Sequence, residues 1–278
     1  MVTYIEATPK SRRTPGVIPI HGAEGFEGMR RAGGLTAQAL DILSEYVEPG
    51  VPTAKLDQIA YEFARDNGAV PATLFYKGYR HSVCTSINHV VCHGIPDDRG
   101  LREGDIVNVD LTLIVDGWYG DSSRMYPVGE ISRKAERLIE ITYAGLEAGL
   151  AAAKPGNTTG DIGAAIQAVA EAERMSVVRD FVGHGVGRLF HDEPNILHFG
   201  TPGTGVPLRP GMIFTIEPMI NLGKPHVKIL SDGWTAVTRD RTLSAQCEHS
   251  IGITETGNEV FTLSPGGLFN PLLKRQQS

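Results

Sequence analysis

The sequence predicts an α+β fold built from two similar halves that meet around a shared site. Hydrophobic residues make up 41% and charged residues 21% of its 278 residues, as in folded globular proteins. An internal repeat points to the two halves. LREGDIVNVD at 101–110 aligns without gaps on LRPGMIFTIE at 208–217, and EPGVPTAKLD at 48–57 resembles KPGNTTGDIG at 154–163. Because both matches occur in the same order and at nearly the same offset, we interpret the chain as a duplicated scaffold of helices followed by strands.

Two helices open the first half. Apolar residues recur at helical spacing over residues 26–47, and Glu48-Pro49-Gly50 is a typical stop. A second helix is expected from Thr53, a candidate N-cap, to Asn67-Gly68. Beyond it the periodicity changes to that of strands.

The chain is expected to hold one main domain with short extensions. Residues 1–20 mix Pro, Arg, Lys and Thr without periodicity, which is typical of an extended arm or a mobile tail. We place the domain at 21–264, with pseudo-repeats at about 21–127 and 128–264, and a C-terminal tail at 265–278.

Composition favours a cytoplasmic protein that acts on neither membranes nor nucleic acid. No apolar run reaches the roughly 18 residues of a membrane span, and the first twenty residues lack the apolar segment of a signal peptide. Cys84, Cys92 and Cys247 have no C-x-x-C spacing, which argues against a disulfide framework or a thiolate zinc site. A net charge of -6 gives no general attraction to phosphate backbones.

Two carboxylates converge on one face of a predicted hairpin. In the strand expected at 105–115, Asp110 and Thr112 share the polar face opposite a row of apolar residues. A tight Asp-Gly turn at 116–117 places Asp121 opposite Thr112, so that Asp110 becomes its diagonal neighbour. Each aspartate alone is most simply a solvated or paired side chain, but the two together leave room for one or two metal ions.

The second half adds two more carboxylates in otherwise apolar strands. Glu217 ends the strand that repeats 101–110, and a strand over AQCEHSIGIT places Gln246, Glu248 and Ser250 on one face. Burying four negative charges is costly unless their pKa values rise or cations neutralise them, and two divalent ions balance the charge. Oxygen ligands with one imidazole suit Mn, Fe, Co or Zn, as in two-metal hydrolases.

Three histidines are candidates to join the carboxylates, although a lone histidine is more often a satisfied polar residue. His184 is the best candidate ligand, because flanking glycines allow close backbone approach and the repeat makes it equivalent to His93. His191 follows in FHDEP. The G-x-G-x-G around His184 lacks the features of a dinucleotide loop, and no H-E-x-x-H pair indicates a single-zinc protease.

Long motifs resemble those of type I methionine aminopeptidases. The similarity runs from about His21 to Leu263 through SVCTSINHVVCHGIPDD, GDIVNVDLTLIVDGWYGD, FVGHGVGRLFHDEPNILH, PGMIFTIEPMIN and DGWTAVTRDRTLSAQCEH. The resemblance implies a pita-bread fold, with two pseudo-symmetric halves of antiparallel sheet covered by helices and a dinuclear metal site between them. It also implies an enzyme that removes the N-terminal methionine from nascent proteins whose second residue is small. The resemblance favours a monomer and leaves open whether the protein contacts the ribosome.

The resemblance also assigns residues. It implies that Asp110 and Asp121 chelate one metal, that Asp121 and Glu248 bridge the pair, and that His184 and Glu217 complete the second site, Glu217 also shuttling a proton. His93 and His191 would contact the scissile amide. The methionine pocket would be formed by Tyr76, Tyr79, Cys84, Phe190 and Trp234, and a Na or K site by Asn88, Val90 and Ser244.

Some positions depart from the family pattern, none of them a metal ligand: His89 replaces Glu, Arg80-His81 replaces Pro-Lys, Thr73 replaces Cys and Cys247 replaces an aromatic residue. These changes leave pocket-edge details open. Two other functions remain as alternatives, an X-Pro-specific peptidase of the same fold and a non-catalytic pita-bread binding protein.

Overall fold

The computed structural model describes residues 2–8, 12–270 and 272. Within them the chain forms four α-helices, which are α1 Ala23–Leu43, α2 Thr53–Asp66, α3 Arg133–Ala152 and α4 Thr159–Ala172. None of the described helices has the length and apolar character needed to cross a membrane. Residues 1 and 9–11 of the expected arm, and 271 and 273–278 of the expected tail, lie outside the described residues.

Both predicted helices of the first half exist, with shifted ends. The predicted end of α1 at residue 47 is wrong, because the N–H groups of Glu45 and Tyr46 bond to carbonyls three residues back and tighten the chain into a turn. Val47 is still buried, so the apolar period continues beyond the helix. Thr53 is the first residue of α2 rather than its N-cap, and its hydroxyl accepts a hydrogen bond from the N–H of Asp97.

The strands of the first half form a short parallel pair and an antiparallel sheet. They are β1 Thr3–Glu6, β2 Val17–Ile20, β3 Val70–Pro71, β4 Cys84–Ile87, β5 Val90–Cys92, β6 Ile106–Val115 and β7 Trp118–Pro127. Strands β1 and β2 pair in parallel, whereas β6 pairs with β3, β4 and β7. The predicted hairpin register is confirmed, since Thr112 lies opposite Asp121.

The second half contains ten described strands. They are β8 Ser176–Val177, β9 Gly183–Gly185, β10 Asp192–Ile196, β11 Ile213–Ile216, β12 Met219–Asn221, β13 Val227–Ile229, β14 Ala236–Thr238, β15 Ser244–Gln246, β16 His249–Ile253 and β17 Asn258–Val260. The main sheet has the order β10-β9-β11-β16-β17, and β15-β12-β8 forms a second one. Strand β5 of the first half pairs with β14, which ties the halves together.

The expected continuous strand around Glu248 is wrong. The chain forms β15 and β16 instead, with Cys247 and Glu248 between them. The physical reason is that the N–H of Glu248 bonds to the carbonyl of Ser123 in β7, so this residue joins the other half rather than its own sheet. Glu217 likewise follows β11, which ends at Ile216.

Two hydrophobic cores flank a polar seam. One core packs α1 and α2 against β6, and the other packs α3 and α4 against β11, β12 and β16. Buried hydrogen bonds cross the seam, from Ser122 Oγ to the carbonyl of Glu248 at 2.8 Å and from Ser250 Oγ to the carbonyl of Asp121 at 2.7 Å. The seam therefore holds strands of both halves, with their acidic residues, side by side.

Candidate metal centre

Five predicted ligands lie together at the seam. Asp110 and Asp121 come from β6 and β7, His184 comes from β9, and Glu217 and Glu248 follow β11 and β15. All five line one cavity of about 500 Å³. The assignment of each residue to a metal stays a prediction, but side chains from both halves share one space.

The distances within the group suit a metal ion. Asp121, His184 and Glu248 each offer a ligand atom, and these atoms lie within 4.8 Å of one another. Nε2 of His184 is 3.6 Å from Oδ2 of Asp121 and 3.6 Å from Oε1 of Glu217. Carboxylate oxygens with one imidazole nitrogen form a donor set that suits Mn, Fe, Co or Zn.

The pKa values of the four carboxyl groups explain why cations fit this site. Burial, reinforced by the charge of Asp121, raises the pKa values of Asp110, Glu217 and Glu248 well above their ordinary range. Burial also raises the pKa of Asp121 to about 7. No lysine or arginine is among the described residues that line the cavity. The residues present therefore fit divalent cations, which would neutralise this buried charge.

His184 is arranged as a ligand. Its Nδ1 lies 3.1 Å from the carbonyl of Gly185, which assigns the ring proton to Nδ1 and leaves the Nε2 lone pair facing the carboxylates. Burial lowers the pKa of His184 to about 4, so the ring is neutral at pH 7. Metal ligation requires this neutral form.

Four residues form hydrogen bonds with Asp121 or Glu217, and the sequence did not identify any of them in this role. Thr112 Oγ1 donates to Asp121 at 2.5 Å, and Thr215 Oγ1 and Gln246 Nε2 donate to the two oxygens of Glu217 at 2.8 and 3.3 Å. His198 accepts a hydrogen bond from the N–H of Glu217. The hairpin register already placed Thr112 beside Asp121, and strand alternation placed Gln246 beside Glu248. By contrast, no local pattern marked His198.

The predicted methionine-pocket residues line the same cavity. Their rings contact one another edge to face, with centroid distances of 5.0 Å for Tyr79 and Trp234 and 5.0 Å for Tyr76 and Phe190. Cys84 is buried beside them, and burial raises the pKa of its thiol, which stays protonated. The cavity lining therefore has an aromatic, uncharged part, which we call the aromatic wall, beside its acidic part.

His93 and His191 line the same cavity as neutral rings. Burial lowers the pKa of His93, and burial followed by the nearby His184 lowers that of His191 to about 3. Nδ1 of His191 is 3.1 Å from the hydroxyl of Tyr76, which orients the ring. His93 has a φ of 56°, in the left-handed region that such residues seldom adopt. Strained backbone of this kind is frequent at functional sites.

The residues assigned to a monovalent cation lie outside this cavity. The structure brings two of them together, since the N–H of Ser244 donates to the carbonyl of Asn88 at 2.8 Å, while Val90 pairs with Val237. Among the departures from the family pattern, Thr73 lines the cavity and donates to the carbonyl of His81. Cys247 does not line it; this buried thiol donates to the carbonyl of Thr142.

The fold and the site define a metallopeptidase. The sequence profile of metallopeptidase family M24 matches residues 27–255, and the chain belongs to that family. This confirms the pita-bread fold expected from the motifs. Prolidase from Pyrococcus furiosus shares the fold alone, with a TM-score of 0.70 at 22% identity, over 87% of this chain and 65% of that chain.

Within the family, the chain is similar to methionine aminopeptidases, which confirms the resemblance read from the sequence. That of Rickettsia prowazekii is 54% identical over 91% of this chain and 98% of the relative, and that of Escherichia coli K12 is 51% identical over 88% and 94%. The crystal structure of the Rickettsia prowazekii enzyme has a TM-score of 0.88 at 53% identity, covering 88% of this chain and 100% of that chain. The Thermotoga maritima enzyme has a TM-score of 0.87 at 40% identity, covering 88% and 99%.

Proposed function

We propose that this protein removes the N-terminal methionine from nascent polypeptides by metal-dependent hydrolysis. The observation that carries the proposal is that five metal-ligand side chains, two neutral histidines and an aromatic wall share one cavity of about 500 Å³. Relatives at 50–54% identity that are named methionine aminopeptidases support the same activity.

Two divalent ions would be held by Asp110, Asp121, His184, Glu217 and Glu248. When bound, such ions act as Lewis acids and lower the pKa of water toward neutrality. The donor set is compatible with Co, Mn, Fe or Zn. A Na or K ion at Asn88, Val90 and Ser244 belongs to the same proposal.

Glu217 is suited to move a proton. Hydrogen bonds from Thr215 and Gln246 fix both of its carboxylate oxygens. A carboxylate fixed in this way can accept a proton from the attacking water and return it to the leaving amine. It therefore acts as the general base and then as the general acid.

The two histidines bind the scissile amide. Because both rings are neutral, each carries one N–H that can donate to the peptide. We assign His191 to the carbonyl oxygen, where negative charge develops, and His93 to the amide nitrogen. Such donors are worth about 3 kcal/mol each when they are aimed at the transition state.

The aromatic wall selects the first residue, and its mouth selects the second. A flexible, polarizable thioether fits the pocket formed by Tyr76, Tyr79, Cys84, Phe190 and Trp234. The mouth of this pocket limits the size of the second side chain, so Gly, Ala, Ser, Thr, Val, Pro and Cys are accepted and larger side chains clash.

The proposed function also concerns the domain that carries it, its cellular location and its partners. Residues 21–264 act as the single catalytic domain of a cytoplasmic monomer, flanked by the arm at 1–20 and the tail at 265–278. Its partners are the N-termini of nascent chains, including those at the ribosome, and neither nucleic acid nor a membrane is its substrate.

The test is release of methionine from Met-Ala-Ser and Met-Leu-Ser after chelation and add-back of single metals. We expect turnover of Met-Ala-Ser that depends on metal and little turnover of Met-Leu-Ser. X-Pro peptides serve as the comparison, because prolidases share the fold. Hydrolysis of X-Pro peptides alone would make the protein a proline-specific peptidase, and metal binding without turnover of any peptide would make it a binding protein.

A further inference from the structure

A second cavity continues from the catalytic one toward the N-terminal arm. It has a volume of about 660 Å³ and is lined by residues that include Arg12, Arg13, Tyr76, Tyr119, Phe190 and His191. Tyr76, Phe190 and His191 also line the catalytic cavity. The two spaces therefore share two residues of the predicted methionine pocket and His191, which would contact the scissile amide, and we call the second one the exit groove.

Contacts with the rest of the protein hold the arm both before and after residues 9–11. Before them, β1 pairs with β2, and Tyr4 donates its hydroxyl hydrogen to the carbonyl of Pro207 at 2.7 Å. After them, the guanidinium of Arg13 contacts Glu193 at 3.2 Å and Asn195 at 3.3 Å, both in β10. The last two contacts hold Arg13, which lines the groove next to Arg12.

The groove carries a positive charge that its own residues do not fully neutralise. Arg13 is paired with Glu193, but the exposed side chain of Arg12 makes no hydrogen bond or ion pair with any described residue. Lys77 is not among the lining residues, but its Nζ is 5.2 Å from the centroid of the Tyr76 ring, which is. No acidic side chain is among the described residues that line the groove.

A peptide bound for cleavage would pass these arginines. Because Tyr76, Phe190 and His191 line both cavities, we take a chain whose first residue lies in the catalytic cavity to leave past them. An extended chain advances about 3.5 Å per residue, which places the third to fifth residues about 4 to 11 Å beyond the second. On this path they would lie in the exit groove.

We propose that Arg12 and Arg13 form a cationic rim that selects substrates with Asp or Glu at positions three to five. The inference rests on the proposed function, because it takes the direction of the bound peptide from it. Carboxylates pair with guanidinium groups through short, charge-assisted hydrogen bonds. The rim thus adds a preference at substrate positions three to five to the selection of the first two substrate residues.

The experiment compares three amidated peptides, Met-Ala-Glu-Glu-Ser, Met-Ala-Gln-Gln-Ser and Met-Ala-Lys-Lys-Ser, on the full-length Mn-loaded protein. Exposed ion pairs are weak, so we expect kcat/KM to be about two- to tenfold higher for the acidic than for the amide peptide, and lower still for the basic one. The preference should shrink from 0.1 M to 1 M salt, because the screening length falls from about 10 to about 3 Å. The ratio of kcat/KM for the acidic peptide to kcat/KM for the amide peptide should fall toward one in Arg12→Gln, in Arg13→Gln and in the double variant.

Arg65→Gln is the matched control, because this exposed arginine lines neither cavity and should leave the ratio intact. Binding is measured separately, by anisotropy of labelled analogues whose first amide is replaced by a CH2–NH bond. Equal affinity of the wild type for the acidic and amide analogues would overturn the proposed role of the rim. An unchanged ratio of acidic to amide kcat/KM in the double variant would overturn it as well. Absence of methionine release from every peptide would instead overturn the proposed function, and the affinity ratio would still decide on the rim.

Discussion

Nε2 of His198 accepts a hydrogen bond from the backbone N–H of Glu217 at 3.1 Å. The histidine is 1% exposed, and burial lowers its pKa to about 3, so the ring is neutral and keeps this nitrogen as an acceptor. The two residues belong to the same half but to different segments, and the bond fixes the backbone that carries the proposed proton shuttle. His198 therefore acts as a positioning residue for Glu217.

Replacing His198 tests that role. His198→Leu removes the acceptor and should lower kcat about 10- to 100-fold, as is typical for residues that support a metal ligand. His198→Gln offers an amide oxygen and should restore part of the loss. Steady-state kinetics with metal analysis measure both effects, and equal kcat values for the Leu variant and the wild type would show that Glu217 does not need this bond.

Substitutions should separate ligands from hydrogen-bond donors. His93→Ala and His191→Ala should retain metal and lower kcat about 100- to 1,000-fold, the usual effect of removing one such donor. Asp121→Ala should lose metal, because Asp121 shares its space with His184 and Glu248. If His191→Ala empties the site while His184→Ala leaves it full, the roles of the two histidines are reversed.

Chelation should destabilise the folded protein. Without cations the four carboxylates of the cavity, which come from both halves, repel one another or take up protons. A ligand at a hundredfold excess over its Kd stabilises the native state by about 2.7 kcal/mol, and about 2 to 4 °C of Tm corresponds to each kcal/mol at this size. Calorimetry should show a fall of about 5 to 11 °C. Identical melting curves with Mn and with a chelator at pH 7.5 would argue against a shared carboxylate site.

His21 should contribute to stability in a pH-dependent way. Burial, followed by the charge of Arg188, lowers its pKa to about 4, whereas the unfolded chain has the ordinary value of about 6.5. The unfolded state therefore binds more protons between these values, so stability due to His21 is present above about pH 6.5 and is lost as pH falls toward 4.

His21→Gln removes that titration. The free energy of unfolding, measured in urea on the chelated protein from pH 4.5 to 6, should then depend on pH less steeply, by up to about 1.4 kcal/mol per pH unit. The variant also loses the edge-to-face contact with Trp118, which lowers stability at every pH without changing the slope. An unchanged slope would mean that His21 titrates alike in the folded and unfolded chain.

Strand alternation and turn residues were sufficient to predict how Asp110 and Asp121 are placed in the hairpin. Alternation along β6 and the Asp-Gly turn together place Asp121 opposite Thr112, and the structure has that register. The same rules failed at Glu248, where strand periodicity predicted a continuous strand. Its N–H bonds to Ser123, more than a hundred residues away, and no pattern within the strand encodes such a bond.

The sequence by itself determined the duplicated α+β architecture, the hairpin of Asp110 and Asp121, and the set of acids and histidines whose roles the resemblance suggested. Repeats, side-chain periodicity and turn residues are properties of neighbouring positions, so they can be read along the chain. Only the tertiary structure decided that His198 supports Glu217 and that Arg13 of the arm contacts Glu193 beside the exit groove. Such contacts form when separate elements pack, and their geometry depends on how the two cores meet at the seam.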